Sequence, residues 1–145
     1  MKSRVLILTA GYGEGHNAAA RALATACDAL HGPGTASVVD LFALAAPRFN
    51  AVSRRGYLAM INRTPRLWSA VYAWADRSSL LPRALWLLGR ETRLLEEIIA
   101  RESPAVICSA YPVYAFLLEK LRAAGRLRVP HFNIVTDSIS INSLW

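Results

Sequence analysis

The amino-acid sequence predicts an α/β fold built on a parallel β-sheet, and three observations support this prediction. Short apolar runs typical of buried parallel strands alternate with longer segments typical of helices. The first apolar run is followed by a turn with three glycines, at the point where a strand passes into a helix. The 145 residues, 54% of them hydrophobic, suffice to bury one core and exclude a disordered chain.

Four apolar runs are predicted to be strands, and three segments without helix breakers are predicted to be helices. The strands cover residues 5–9, 37–41, 105–109 and 131–136. The helices cover residues 17–30, 83–101 and 112–124. Residues 43–80 favour helical stretches interrupted at Pro47 and Pro65. Strands that alternate with helices form parallel sheets with right-handed crossovers, so we expect a Rossmann-like arrangement.

The predicted domain spans residues 1–145, and neither an internal repeat nor a low-complexity tract divides it. The chain ends nine residues after the last predicted strand. An open parallel sheet usually continues with a further helix and strand. We therefore expect these residues to be one domain of a longer protein.

Cysteine content and hydropathy indicate the cellular setting. Cys27 and Cys108 form no CxxC pair, which predicts reduced, buried thiols and no metal site. The apolar start of the chain is too short for a secretory signal, and no window reaches the roughly 18 apolar residues of a spanning helix. We therefore expect a cytoplasmic protein that lies on the inner face of the membrane without crossing it.

Basic charge is concentrated in residues 48–93. Nine arginines in this segment stand against Asp76 and Glu91, so it holds the whole net charge of +7, together with six aromatic residues. This composition favours a module that binds an anionic membrane, although it also suits single-stranded nucleic acid or a solvated helix face. No known RNA-binding signature is present, so we expect a membrane partner and no nucleic acid. The candidate interface residues are Arg54, Arg55, Arg63, Arg66, Trp68 and Trp74.

The glycine-rich turn lies between the first strand and the first helix, where open α/β sheets bind ligands. Gly11, Gly13 and Gly15 are expected to let a ligand approach the backbone and to expose amide N–H groups. The turn lacks the lysine of a P-loop and the third glycine of a dinucleotide fingerprint. Asp40, near the end of the second strand, is placed like a ribose-binding acid, so a dehydrogenase stays an alternative.

His16 directly follows the glycine turn and is the candidate catalytic residue. A helix N-terminus disfavours a cation, which predicts a neutral imidazole that can take a proton from an alcohol. The alternative is a histidine that caps or packs the helix without chemistry. Glu14 and Asp137 are rival bases, but an ordinary carboxylate is a weaker one.

Five segments of the chain resemble, in order, the family of monogalactosyldiacylglycerol synthases and processive diacylglycerol glucosyltransferases. The hallmark is the glycine turn ending in Gly-His, GYGEGHNAAARAL at residues 11–23. The others are VVDLF at 38–42, YLAMINRTPRLWSAVY at 57–72, PAVICSAYP at 104–112 and VTDSISINSLW at 135–145. The resemblance covers nearly the whole chain.

The resemblance implies the N-terminal half of a GT-B glycosyltransferase, in which two Rossmann-like domains face a cleft. This half binds a diacylglycerol-type lipid acceptor, and a C-terminal domain outside this chain binds a UDP-sugar donor. The reaction is hexosyl transfer in glycolipid biosynthesis, without a cofactor or metal. His16 takes the position of the general base. The residues implied to line the acceptor cleft are Gly11, Gly13, Gly15, Asn17, Tyr111, Asp137 and Asn142.

Two positions depart from the family's usual pattern. Tyr111 and Asn142 stand where the family often has histidine. Asparagine forms hydrogen bonds but does not act as a base at neutral pH. The sugar and the acceptor therefore stay open at this point, and Asp137 is the next candidate base after His16.

Overall fold

The protein is described by a computed structural model, which covers residues 5–12, 14–64 and 88–136. These residues form a four-stranded sheet in which every neighbouring pair of strands is parallel. The strand order is β2-β1-β3-β4. The strands are β1 (Val5–Thr9), β2 (Ala36–Asp40), β3 (Val106–Ser109) and β4 (His131–Asn133). The predicted α/β fold with a Rossmann-like parallel sheet is confirmed, and β1 is an inner strand as its uniformly apolar sequence suggests.

Five helices connect these strands within the described residues. They are α1 (Glu14–His31), α2 (Leu41–Ala45), α3 (Pro47–Arg63), α4 (Gly89–Glu102) and α5 (Val113–Ala123). Gly32 and Gly125 follow α1 and α5 closely, with φ of 94° and 71°. Glycine adopts this left-handed conformation without the steric cost that a Cβ carries, so these residues end the helices where the sequence predicts.

Two helix starts differ from the sequence prediction. Helix α1 begins at Glu14 rather than at residue 17, so Gly15 belongs to its first turn. A first-turn glycine interrupts no hydrogen bond, because the first amides of a helix have no acceptor inside it. The predicted helix over 83–101 is wrong at Leu88, whose ψ of 41° is not helical, and α4 begins at the next residue. Gly89 weakens helix propensity at this point.

The hydrophobic core lies on one face of the sheet. Leu6 and Leu8 of β1 and Ile107 of β3 are fully buried against α4 and α5. Among the helix residues that cover them, Leu95 and Leu117 are also fully buried. Burial of each such side chain contributes about 1.5–3 kcal/mol, so this layer holds the sheet in place.

Helix α1 packs on the opposite face of the sheet, over β1 and β2. Its crossover leads from β1 to β2, whereas the crossover through α5 leads from β3 to β4 on the other side. The chain therefore leaves the two inner strands in opposite directions. In parallel sheets this arrangement opens a crevice at the carboxyl ends of the two inner strands, which is the usual position of a ligand.

Candidate active site

His16 and Tyr111 flank the crevice between β1 and β3. His16 is the third residue of α1, which follows β1, and Tyr111 lies two residues beyond the end of β3. Their rings meet edge to face, with centroids 5.2 Å apart and planes at 80°. Both side chains are half-buried. The two residues come from distant parts of the sequence, and the crossovers in opposite directions bring them together.

A hydrogen bond fixes one nitrogen of the His16 ring. His16 Nδ1 lies 2.7 Å from the hydroxyl oxygen of Thr136, which stands three residues beyond β4. The hydroxyl can donate to this nitrogen or accept from it. The bond therefore ties the start of α1 to the segment that follows β4.

Asn17 anchors α1 to the sheet. The Thr9 hydroxyl, at the end of β1, donates to Asn17 Oδ1 at 3.0 Å. This bond fixes the start of the helix over the strand that precedes it. The structure therefore gives Asn17 a contact with the end of β1, and its place in the acceptor cleft stays a prediction of the resemblance.

Asp40 ties the glycine turn to the end of β2. Its carboxylate accepts from the Gly11 N–H at 2.9 Å and from the Ala43 N–H at 3.0 Å, so it also caps α2. The expectation of an exposed amide is therefore wrong for Gly11, which is buried. Gly15 is exposed in the first turn of α1, and Gly13 lies outside the described residues. Because both carboxylate oxygens of Asp40 bind these amides, the ribose-binding role of a dehydrogenase is disfavoured.

An aromatic cluster of Tyr12, Phe42, Tyr111 and Tyr114 lies beside His16. Tyr12 and Tyr111 stack, with centroids 5.9 Å apart and planes at 17°. Phe42 meets the Tyr111 ring edge to face at 6.0 Å and lies 5.5 Å from the Tyr114 ring. The Tyr12 hydroxyl reaches α3, where it lies 2.9 Å from Ser53 Oγ. The cluster gives the crevice an apolar aromatic wall with polar edges.

Tyr114 holds the carboxyl ends of two strands together. Its side chain is fully buried, and its hydroxyl donates to the Thr9 carbonyl at 2.6 Å and accepts from the Leu41 N–H at 3.1 Å. Burial raises the pKa of Tyr114 well above its usual value, and nearby Asp40 adds to the rise. The phenol therefore stays protonated and continues to donate to β1.

A second polar group lies between β3 and β4. The buried Ser109 hydroxyl donates to Asn133 Oδ1 at 2.6 Å and lies 2.9 Å from His131 Nε2. Because the single hydroxyl proton goes to Asn133, His131 acts as the donor to Ser109. Burial lowers the pKa of His131, with a further contribution from Arg122 that Glu119 opposes. Ser109 is fully buried, so this group is a structural network and no nucleophile.

The predicted membrane-interface residues are only partly described. Arg55 and Arg63 are exposed on α3, and Arg54 lies in the same helix. Arg66, Trp68 and Trp74 lie outside the described residues, as do Asp137 and Asn142 of the predicted cleft. A cavity of about 260 Å³ lies between α2 and α4, lined by Leu44, Ala45, Arg90, Arg93, Leu94 and Glu97.

The described residues bear on the expectations for metal sites, membrane-spanning helices and cysteine thiols. Within residues 5–12, 14–64 and 88–136, no three His, Cys, Asp or Glu side chains group as metal ligands would. No helix in this same part of the chain is long and apolar enough to span a membrane. Cys27 and Cys108 are free thiols, but they are half-buried rather than buried as predicted. Burial raises the pKa of Cys108, and the neighbouring Cys27 adds to the rise.

Thr136, Asp40 and Tyr114 shape this edge of the sheet, and sequence reasoning assigned none of them these contacts. Thr136 stands in the Thr-Asp segment that carries part of the family resemblance, so its position was the available signal. Asp40 is the last residue of β2 and directly precedes α2, which is the pattern of an N-cap. No local signal marks the Tyr114 hydroxyl, because its partners lie 73 and 105 residues away.

A parallel Rossmann-like sheet, with a histidine and a tyrosine in contact at the carboxyl ends of its inner strands, makes this an α/β domain of the kind that usually binds ligands at that edge. Sequence comparison identifies the family to which this domain belongs. The chain belongs to the monogalactosyldiacylglycerol (MGDG) synthase family, whose sequence profile matches residues 16–145. The resemblance stated from the motifs is thereby confirmed.

Curated relatives carry the name processive diacylglycerol beta-glucosyltransferase. The protein of Bacillus cytotoxicus is 26% identical over 144 residues, and that of Bacillus subtilis is 28% identical over 142 residues. Each alignment covers 98% of this chain and 36% of the relative. The chain therefore spans about a third of the length of these relatives. No solved structure matches it significantly.

Proposed function

We propose that this chain is the acceptor-side half of a glycosyltransferase that moves a hexose from a UDP-sugar to a diacylglycerol-type lipid. Family membership and the names of the relatives support sugar transfer to diacylglycerol. The chain covers only 36% of the length of its relatives, which supports a second, donor-binding domain in the complete enzyme. The crevice beside His16 is then the side of the cleft that receives the lipid hydroxyl.

The position of His16 is the observation that carries the proposal. When its Nδ1–H donates to Thr136, Nε2 carries the lone pair that takes the proton from the acceptor hydroxyl. The acceptor oxygen then forms a bond to the anomeric carbon of the sugar as the bond to the UDP oxygen breaks. UDP leaves without a proton, so one base suffices, and a glycosidase-like pair of carboxylates is not needed.

The aromatic cluster suits an acceptor with an apolar surface and a reactive hydroxyl. The rings of Tyr12 and Tyr111 lie next to His16 and are half-buried. Aromatic faces bind apolar C–H surfaces, while the phenol groups at their edges can form hydrogen bonds. At the position where the resemblance implies a frequent histidine, Tyr111 adds this aromatic surface in place of an imidazole.

His16→Ala in the full-length enzyme tests the proposed role. General-base catalysis typically contributes a factor of about 10²–10⁴, so kcat for UDP-glucose, UDP-galactose or UDP-N-acetylglucosamine with diacylglycerol is expected to fall by that factor. Affinity for the UDP-sugar should stay nearly unchanged, because His16 lies on the acceptor side. His31→Ala is the matched control: it removes an exposed histidine from the other end of the same helix.

Near-normal kcat in His16→Ala would show that this histidine only caps or packs α1. If the variant loses activity because it unfolds, as measured by circular dichroism, the same conclusion about His16 follows. Asp137 would then become the candidate base. Equal losses in His16→Ala and His31→Ala would point to an effect on helix stability and would contradict the assignment.

The two-domain proposal is tested with the 145-residue chain by itself. Stabilisation of the leaving diphosphate normally lowers the barrier by several kcal/mol, and on this proposal those groups belong to the missing domain. The isolated chain is therefore expected to bind UDP weakly and to transfer no measurable sugar. Transfer of radiolabelled sugar to diacylglycerol by this chain would refute the assignment.

We also propose that the basic segment 48–93 lies against an anionic membrane, and that the enzyme occupies the inner face of that membrane. Exposed Arg55 and Arg63 on α3 and the arginines of the α2–α4 cavity support this orientation. The apolar lining beside Arg90 and Arg93 suits the junction of headgroups and acyl chains. A lipid acceptor resides at that level, so the same surface brings the enzyme to its substrate.

A further inference from the structure

The bond between Thr136 and His16 joins two distant parts of the chain. Thr136 Oγ1 and His16 Nδ1 are 2.7 Å apart although 120 residues separate them in sequence. His16 lies in the first turn of α1, and Thr136 follows β4 at the same edge of the sheet. Both side chains are half-buried, so the contact lies at the rim of the crevice rather than in the core.

The backbone near Thr136 is fixed by the sheet. The Ile134 N–H donates to the Ser109 carbonyl at 2.8 Å, which continues the pairing of β4 with β3 beyond the last strand residue. The Ser109 hydroxyl also bonds Asn133. Thr136 follows two residues after this anchored stretch, so its hydroxyl reaches His16 from a supported position.

The His16 ring is also restrained from the side. Tyr111 meets it edge to face at 5.2 Å, and Tyr111 is held in turn by its stacking on Tyr12. The aromatic contact limits rotation of the imidazole plane but does not distinguish its two nitrogens. Only a hydrogen-bonding partner does so, because the proton of a neutral imidazole resides on one nitrogen or the other.

We propose that Thr136 is a positioning residue that selects the reactive tautomer of His16. Its oxygen accepts the Nδ1–H, and the lone pair of Nε2 is thereby directed to the acceptor hydroxyl. This inference rests on the proposed function of His16 as the base.

The proton balance is simple. The acceptor proton moves to Nε2, and the ring becomes an imidazolium with a proton on each nitrogen. Its Nδ1–H stays bonded to Thr136, and this bond strengthens because its donor is now charged. The threonine hydroxyl proton itself does not move, so Thr136 is no relay.

Two substitutions in the full-length enzyme test the role. Thr136→Val keeps the shape of the side chain and removes the hydroxyl, whereas Thr136→Ser keeps the hydroxyl and removes the methyl group. Partners that orient metal-binding histidines are worth roughly 10- to 100-fold in activity, and we expect a loss of the same order for a partner that orients a histidine base. We expect such a fall in kcat for the valine variant, with unchanged KM for the UDP-sugar, and near-normal kcat for the serine variant.

A spectroscopic measurement separates positioning from general structural damage. With ¹⁵N-labelled histidine, the ring signals that vanish in His16→Ala belong to His16, and their shifts report which nitrogen carries the proton. In the unmodified enzyme and in Thr136→Ser, we expect the proton on Nδ1. In Thr136→Val, we expect a larger share of the tautomer protonated at Nε2.

The outcomes distinguish this inference from the proposed function. If His16→Ala abolishes turnover while Thr136→Val keeps kcat within about twofold, the positioning role is overturned and the base assignment stands. An unchanged tautomer in Thr136→Val, or a serine variant as impaired as the valine variant, likewise overturns it. Normal turnover in His16→Ala overturns the proposed function and this inference together.

Discussion

Removal of the Tyr114 hydroxyl is expected to destabilise the fold measurably. Tyr114→Phe deletes one oxygen from a fully buried ring and leaves the Thr9 carbonyl and the Leu41 N–H without this partner. An unsatisfied buried backbone group costs about 1–3 kcal/mol. Two such groups, less some relaxation, give an expected loss of about 2–4 kcal/mol in the free energy of unfolding. Domains are stable by only about 5–15 kcal/mol, so the loss is a large fraction of the total.

Urea denaturation of the 145-residue chain, followed by circular dichroism, measures this loss. With a denaturant slope of about 2 kcal/mol per molar, the midpoint should fall by about 1–2 M. Tyr12→Phe is the matched control, because it also removes one phenolic hydroxyl, but from a half-buried ring bonded to Ser53. Ser53 belongs to a helix surface and can bond water instead, so this control should shift the midpoint much less. Equal shifts in the two variants would refute this reasoning, because the buried hydroxyl of Tyr114 would then contribute no more to stability than the half-buried hydroxyl of Tyr12.

Two further predictions concern pH and the membrane. The pKa of His131 is lowered in the folded state, so its stabilising contribution is present above the unfolded value of 6.5 and is lost as pH falls below it. The urea midpoint should therefore depend less steeply on pH between about pH 5 and 8 in His131→Gln than in the unmodified chain. Identical pH profiles of the two proteins would contradict this. Binding to phosphatidylglycerol vesicles should weaken steeply with salt, because each basic residue contributes about 1 kcal/mol over a Debye length of ~8–10 Å. In a vesicle sedimentation assay, Arg63→Gln should weaken this binding further, as should replacement of Trp68 and Trp74. Arg128→Gln, which lies outside the basic segment, should leave the binding unchanged. Salt-insensitive binding would exclude the proposed surface.

The order of strands and helices was predictable because each element carries its own local signal. Residues 5–9 are a short apolar run followed by glycines, and the observed β1 has the predicted bounds. The start of α1 was predicted too late, since the glycines suggested an extended loop, although Gly15 fits a helix's first turn. The fourth strand ends at Asn133 rather than at residue 136, because only three residues pair with β3.

The contacts that shape the candidate site were not predictable in the same way. The Gly11–Asp40 and His16–Thr136 bonds link residues 29 and 120 positions apart, and they arise only when the sheet aligns the ends of its strands. The sequence could therefore single out His16 and Tyr111 by motif. It could not identify the partner that orients the imidazole, because a threonine after a strand is a common local pattern.

Under the proposed function, the link between Tyr12 and Ser53 bears on how a lipid would reach the enzyme. This bond joins the glycine turn directly to α3, so the distance between them is limited to the reach of two side chains. If α3 lies on the bilayer as proposed, the turn and the adjacent His16 stand close above the headgroups. The acceptor then needs to lift only its hydroxyl end into the crevice while its acyl chains stay in the membrane. On this proposal, catalysis would require no extraction of the whole lipid, and the product would be released into the membrane where it resides.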